Sequence, residues 1–213
     1  MVAAILWDND GVLVDTEGLF FRATQVTLAR AGIDLTLELH LEYAMRLGRS
    51  TLELAQAQGW SPEQVEGLRD DRNLLYSTLL HSERSIFPNA LKVVQDLASR
   101  VRMAVVTSSR REHVEIAHQR NGLAGLFEFI LAWEDYQHSK PHPEPYQIAL
   151  RRLNLPAESC VAIEDSERGL ASALAAGLRC VVVPNELTRG CAFKGATALL
   201  PDLSEVPAFV AGL

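Results

Sequence analysis

AAILWDNDGVLVDTE, residues 3–17, opens with a short apolar run and delivers two carboxylates, Asp8 and Asp10, at its end. The run is too short for a helix and too little alternating for a half-exposed strand, which suits a strand covered on both faces. Four more runs of this kind follow: RMAVV (102–106), FEFILA (127–132), CVAIE (160–164) and RCVVV (179–183). Stretches with helical spacing lie between them, among them 89–99, 144–153 and 166–177. In the last, Ser166 is placed to cap the helix and Gly177 to stop it. Strand alternating with helix predicts an α/β fold, a doubly wound parallel sheet with a Rossmann-like core.

Between the first run and the second the rhythm breaks. Residues 16–83 carry only helical patterning, as in LFFRATQVTLARAG and PEQVEGLRDDRNLLYSTLLHS. An excursion of that length reads as an inserted helical module rather than a loop. The expected division is 1–15 with 84–213 for the α/β core and 16–83 for the insertion, with hinges near Asp15 and Phe87–Pro88.

The formal net charge is −7 and the pI about 5.4. That argues against a nucleic-acid surface, which needs clustered Lys and Arg to displace phosphate counterions. No apolar stretch is long enough for a membrane span, and MVAAILWDND lacks the basic start of a signal peptide. The expectation is a cytoplasmic protein with no membrane partner. Cys160 and Cys180 open apolar runs and read as buried small hydrophobes; with Cys191 they lack zinc-site spacing. The six histidines show no metal-ligand spacing either, and His138 and His142 read as solvated. Trp7 and Trp133, beside strand ends, read as packing residues. No exposed apolar stripe calls for a dimer, so a monomer is expected.

Ligands of open α/β sheets bind beyond the carboxyl ends of the strands. Those ends carry Asp8 and Asp10, then Thr107, Ser108 and Ser109, then Lys140 within SKPHPEPY, then Glu164 and Asp165. Asp8 and Asp10, two apart, share a face while the chain stays extended. Four acids in one crevice repel one another unless a cation joins them, and an all-oxygen set favours Mg²⁺. Thr107 and the N–H groups after it sit where a strand-to-helix turn holds phosphate oxygens. Carboxylate nucleophile, Mg²⁺, lysine and hydroxyl together suit phosphoryl transfer through an aspartyl phosphate.

DNDGVLVDTE, VVTSS, SKPHPEPY and AIEDSERG resemble the four ordered motifs of the haloacid dehalogenase superfamily. More narrowly they resemble its β-phosphoglucomutase-like phosphatases, which carry a helical cap after the first strand. The resemblance runs from Ile5 to about Pro184. It implies Asp8 as nucleophile and Asp10 as general acid and then base, with the Asp10 carbonyl on Mg²⁺. It implies Thr107 and the Ser108 N–H as phosphate ligands, and Lys140 as counter-charge to Asp8 and the phosphate. Asp165 would ligate Mg²⁺, with Glu164 bonded directly or through water, so the implied metal set is Asp8, Asp10, Glu164 and Asp165. The implied partner is a small phosphorylated substrate, a sugar phosphate by preference.

RLGRSTLE (46–53) lies where such caps place specificity residues, making Arg49 a candidate substrate contact. Ser50 and Glu53 in the same stretch also read as a capping box, so the segment equally reads as a helix start. The alternative within the family is a sugar-phosphate mutase, but Phe20 stands where those enzymes carry a histidine. A non-catalytic interaction protein on the same fold is the alternative outside it, and that would be expected to erode Asp8, Lys140 or the metal acids. Two positions depart from the family pattern: Asn9, where an apolar residue is common, and Gly18, where proline is.

Overall fold

The computed structural model of the chain describes residues 2–213, apart from the side chains of Met45 and Arg46. It divides into two compact units, Met1–Asp15 with Arg84–Leu213, and Thr16–Glu83.

The first unit is built on six strands: β1 (Ala4–Trp7), β2 (Arg102–Val106), β3 (Ile130–Leu131), β4 (Cys160–Glu164), β5 (Arg179–Val182) and β6 (Ala198–Leu199). Their order is β3-β2-β1-β4-β5-β6, every pair parallel. The third strand is shorter than the apolar run 127–132 suggested, and β6 had no such run to announce it. A two-residue strand leaves too little pattern to read. Alternate residues fill both faces. Ala4, Leu6, Ala104, Val106, Ala162 and Val182 join one buried cluster, while Ile5, Trp7, Val105, Ile163 and Val181 are buried as well. Each buried side chain of Leu or Ile size contributes about 1.5–3 kcal/mol, so burial on two faces makes this sheet the stable platform of the unit.

The chain runs outward from β1 through β2 to β3, then crosses to β4 on the other side of β1. The reversal makes the carboxyl ends of β1 and β4 the switch point where ligands of such sheets bind. Residues 13–15 and 85–87, which flank the helical segment, lie side by side, with Asp15 N–H on the Ser85 carbonyl (3.0 Å) and Phe87 N–H on that of Leu13 (3.1 Å).

The second unit consists of helices α1 (Glu17–Ala29), α2 (Leu37–Leu41), α3 (Glu53–Ala57) and α4 (Pro62–Ser82), with one π-helical turn at Glu42–Arg46. Leu28, Ile33, Leu35, Leu52, Ala55 and Leu68 form its own core. Its longest helix starts where the sequence says it should. Ser61 Oγ accepts from the Gln64 N–H, Gln64 Oε1 accepts from the Ser61 N–H, and Pro62 fills the first position, where no N–H is needed. Phe20 packs edge-on against Tyr76 within this unit (5.2 Å).

The helices of the α/β unit are α5 (Ala90–Ala98), α6 (Arg111–Asn121), α7 (Glu144–Leu153), α8 (Glu167–Ala175) and α9 (Val206–Ala211). Tyr146, Ala149 and Leu153 of α7 and Leu170 and Ala173 of α8 cover one sheet face. Helix α8 has the expected cap, Gly169 N–H to Ser166 Oγ at 3.1 Å, and ends before Gly177 in the left-handed region. Among the described residues no helix is long and apolar enough to cross a membrane.

Candidate active site

The β1–β4 pairing brings the acids together. Trp7 is in register with Ile163, so the next residues, Asp8 and Glu164, leave the sheet side by side, with Asp8 N–H on the Ile163 carbonyl (2.9 Å). Asp165 follows, and carboxylate oxygens of Asp8, Glu164 and Asp165 all lie within 4.8 Å of one another. Lys140 enters between them. Its Nζ donates to Asp8 Oδ1 (2.7 Å), Glu164 Oε1 (2.7 Å) and the Val106 carbonyl (2.8 Å), which uses all three ammonium protons. Tyr146 donates its hydroxyl to the same Glu164 oxygen at 2.6 Å.

Two glycines make room. Gly11 sits at φ +88°, in the turn where the Val12, Leu13 and Val14 N–H groups fold back on the Asn9 carbonyl, and a Cβ there would fall 2.2 Å from Asp165 Oδ2. A Cβ on Gly169 would fall 1.8 Å from Glu164 Oε2, so α8 approaches the carboxylate as only a bare backbone can. Asn185 then ties the parts together, donating to Asp165 Oδ2 (2.8 Å) and to the Gly11 carbonyl (3.1 Å).

Three buried carboxylates against one ammonium leave a formal charge of −2 (−3 + 1). Charge in so dry a place is costly and is relieved by protons or a cation. Burial pushes Asp8 up to about 7; Lys140 opposes that shift, and the neighbouring Glu164 and Asp10 add to it. Burial, then Asp8 and Glu164, raise Asp165 well above the usual carboxylate range. Burial pulls Lys140 down, but Asp8 and Glu164 outweigh it and hold the ammonium above its ordinary value.

A divalent cation would bring the sum to zero. The donor set fits one: the oxygens are hard, and Glu164 Oε2 is fully buried with no hydrogen-bond partner among the described residues, an acceptor that a cation would satisfy. Asp8, Glu164 and Asp165 would hold it, and hard oxygen donors suit Mg²⁺.

Asp10 stands differently from Asp8. Its Oδ2 accepts from Ser109 Oγ (2.7 Å), Asn9 Nδ2 (3.1 Å) and Thr107 Oγ1 (3.2 Å). Its carboxylate is not among the cation-clustered oxygens. Thr107, expected to face phosphate, thus turns its hydroxyl to Asp10, and Ser108 Oγ meets Ser139 Oγ at 3.0 Å. Arg49 belongs to the helical unit, where its guanidinium pairs with Glu53 and lies over the Tyr43 ring. Glu53 also accepts from the Ser50 N–H (3.2 Å), while Ser50 Oγ takes the Leu52 N–H, so only half of the expected capping box forms.

Sequence reasoning passed over His118, Tyr146 and Asn185 and noted Asn9 and Ser109 without giving them these partners, which folding supplies. It also read Trp133 as packing, yet that ring is half exposed beneath Arg110 (5.4 Å), whereas Trp7 is fully buried. His138 and His142 are exposed as expected but group with Glu144, which binds the His138 ring nitrogen at 2.6 Å. That carboxylate also accepts the Gln137 and His138 N–H groups, which holds the loop carrying Lys140.

Residues 5–183 match the family of haloacid dehalogenase-like hydrolases. The chain is 34% identical to the protein CbbY of Rhodobacter capsulatus, over 94% of this chain and 93% of that one. It is 29% identical to the phosphorylated carbohydrates phosphatase of Thermotoga maritima, over 92% and 93%. Among solved structures, a variant of CbbY from Rhodobacter sphaeroides in complex with xylulose-(1,5)bisphosphate superposes with a TM-score of 0.85 at 29% identity, covering 96% of each chain. With the six-stranded sheet and the acid cluster at its switch point, this coverage makes the chain a member of the haloacid dehalogenase-like hydrolase family.

Proposed function

We propose that the protein is a Mg²⁺-dependent phosphomonoester hydrolase that acts on a small phosphorylated metabolite, a sugar phosphate by preference, through an aspartyl phosphate on Asp8. The observation that carries this reading is Asp8 itself, a buried carboxylate held by Lys140 at 2.7 Å within an acid cluster suited to a hard cation. The relatives support the substrate class: one is named for phosphorylated carbohydrates, and another was solved with a sugar bisphosphate.

Asp8 attacks phosphorus while the ester P–O bond breaks, and Asp10 gives its proton to the departing oxygen. Asp10, now a carboxylate, takes a proton from water as that water attacks the phosphoryl group, and cleavage of the P–O bond to Asp8 releases phosphate. A divalent cation, when bound, neutralises charge on the carboxylates and the transferring group. Lys140 opposes the protonation of Asp8 that burial favours. Thr107 and Ser108 bind the phosphoryl group, the former once its hydroxyl is drawn from Asp10. The helical unit Thr16–Glu83 is assigned the cap, and Arg49 the contact to the substrate's distal part.

The test is phosphate release from a panel of phosphorylated sugars, polyols and nucleotides with Mg²⁺. One sugar phosphate should stand well above the rest, and Asp8→Asn or chelation should return it to background. A silent panel, or turnover that survives Asp8→Asn, would overturn the reading.

A further inference from the structure

Asn9 lies between the two aspartates, 1% exposed, and makes contacts on both sides of its amide. Its Nδ2 is 3.1 Å from Asp10 Oδ2 and its Oδ1 is 2.8 Å from His118 Nε2 on α6. The polarity of this chain follows from one end. An ionised carboxylate only accepts, so the amide nitrogen faces Asp10 and the amide oxygen faces His118. His118 must therefore donate, which assigns the proton to Nε2. Burial supports a neutral ring, since it lowers His118 to about 4. Phe127 lies against that ring at 5.4 Å, and the imidazole is 2% exposed, so its one good donor is committed to Asn9.

At the other end, Ser109 Oγ and Thr107 Oγ1 bring the donors on Asp10 Oδ2 to three. Once Thr107 turns its hydroxyl to the phosphoryl group, Asn9 and Ser109 still occupy both lone pairs of Oδ2, which leaves none to carry a proton. When Asp10 is protonated, the proton therefore resides on Oδ1, and the Asn9 and Ser109 donors fix the plane in which that O–H points. We infer that His118, acting through Asn9, is a positioning residue that orients the Asp10 carboxyl so that Oδ1 presents its proton to the leaving oxygen. The inference rests on Asp10 being the general acid. It gives a purpose to Asn9, where the family pattern favours an apolar residue that could neither receive from His118 nor donate to Asp10.

A general acid matters in proportion to how much the leaving group needs a proton. The experiment measures kcat/KM, which reports the transfer to Asp8, on phenyl phosphate and on 2,4-dinitrophenyl phosphate. The second leaving group departs without protonation. Asp10→Asn serves as reference and should lose far more on phenyl phosphate than on the dinitrophenyl ester. Asn9→Leu and His118→Phe should follow it at smaller scale, losing roughly tenfold on phenyl phosphate and less than about threefold on the other, while His118→Gln, whose amide still donates, recovers most of the loss. Should His118→Phe fail to fold, Asn9→Leu carries the comparison alone. Equal losses on both substrates, or no loss on either, would overturn the role of His118 and Asn9 while Asp10→Asn still discriminates. If Asp10→Asn itself does not discriminate, the acid assignment falls, and this inference falls with it.

Discussion

Lys140 is 5% exposed and its three protons are all spent, two of them on carboxylates. Deleting one partner of a buried ion pair is costlier than the pair is worth, because the survivor keeps its desolvation penalty. Lys140→Ala should therefore destabilise the metal-free protein by roughly 3–5 kcal/mol in urea denaturation with chelator present. Added Mg²⁺ should recover part of that, since it supplies the missing positive charge. An unchanged midpoint in chelator would mean that the carboxylates are already protonated. Gly169→Ala is the opposite experiment, adding one methyl where Glu164 Oε2 stands 1.8 Å away. Either the carboxylate or α8 must move. We expect weaker Mg²⁺ binding by titration calorimetry together with a lower melting temperature. Native Mg²⁺ affinity would take Glu164 out of the cation site.

At the scale of elements, Ser61 and Gln64 exchange side-chain-to-backbone hydrogen bonds at the start of α4. Ser61→Ala should cost about 1 kcal/mol of stability in thermal or urea melts, with no change in Mg²⁺ affinity. The signal for this cap is local, Ser-Pro-Glu-Gln before an apolar repeat, although the sequence reading took only the helix from it and placed its capping box at Ser50 and Glu53. The strands β1, β2, β4 and β5 were legible for a related reason: burial on both faces turns a strand into an unbroken apolar run. Asp8, Lys140, Glu164 and Asp165 could be gathered because the site of a parallel sheet lies at its strand ends. His118 offered no comparable signal. It sits on a helix 109 residues from Asn9, and in sequence alone it is a histidine with no partner. Ser109 was seen but not given its role, since only the turn after β2 directs its hydroxyl to Asp10. The strand β6 was missed and β3 was drawn too long, because edge strands of two residues are defined by their neighbours.

For the whole molecule, buried groups pull the pH dependence of stability in opposite directions, Asp8 and Asp165 one way and His118 the other. Folding raises Asp8 from 3.8 to about 7, so between those values the folded chain holds a proton that the unfolded chain has lost, and stability falls as pH rises. Folding lowers His118 from 6.5 to about 4, so in that window the unfolded chain holds the extra proton, and stability rises with pH. In chelator the Asp8 and Asp165 contributions oppose that of His118 between about pH 4 and 6.5, so His118 offsets part of the fall. Single substitutions should separate them. His118→Gln removes the rising contribution, so its stability should drop with increasing pH, diverging from wild type by about 3 kcal/mol across the window. Asp8→Asn removes one of the falling contributions, so its stability should fall less with rising pH than that of the wild type. Urea midpoints at half-unit pH steps would reveal both slopes, and parallel curves for the two variants would refute the assignment. Mg²⁺ changes the balance because it competes with protons for the carboxylates. Its stabilisation should therefore be small near pH 5 and grow towards pH 8, read as the shift in melting temperature at a fixed Mg²⁺ concentration. A shift independent of pH would place the cation away from Asp8 and Asp165.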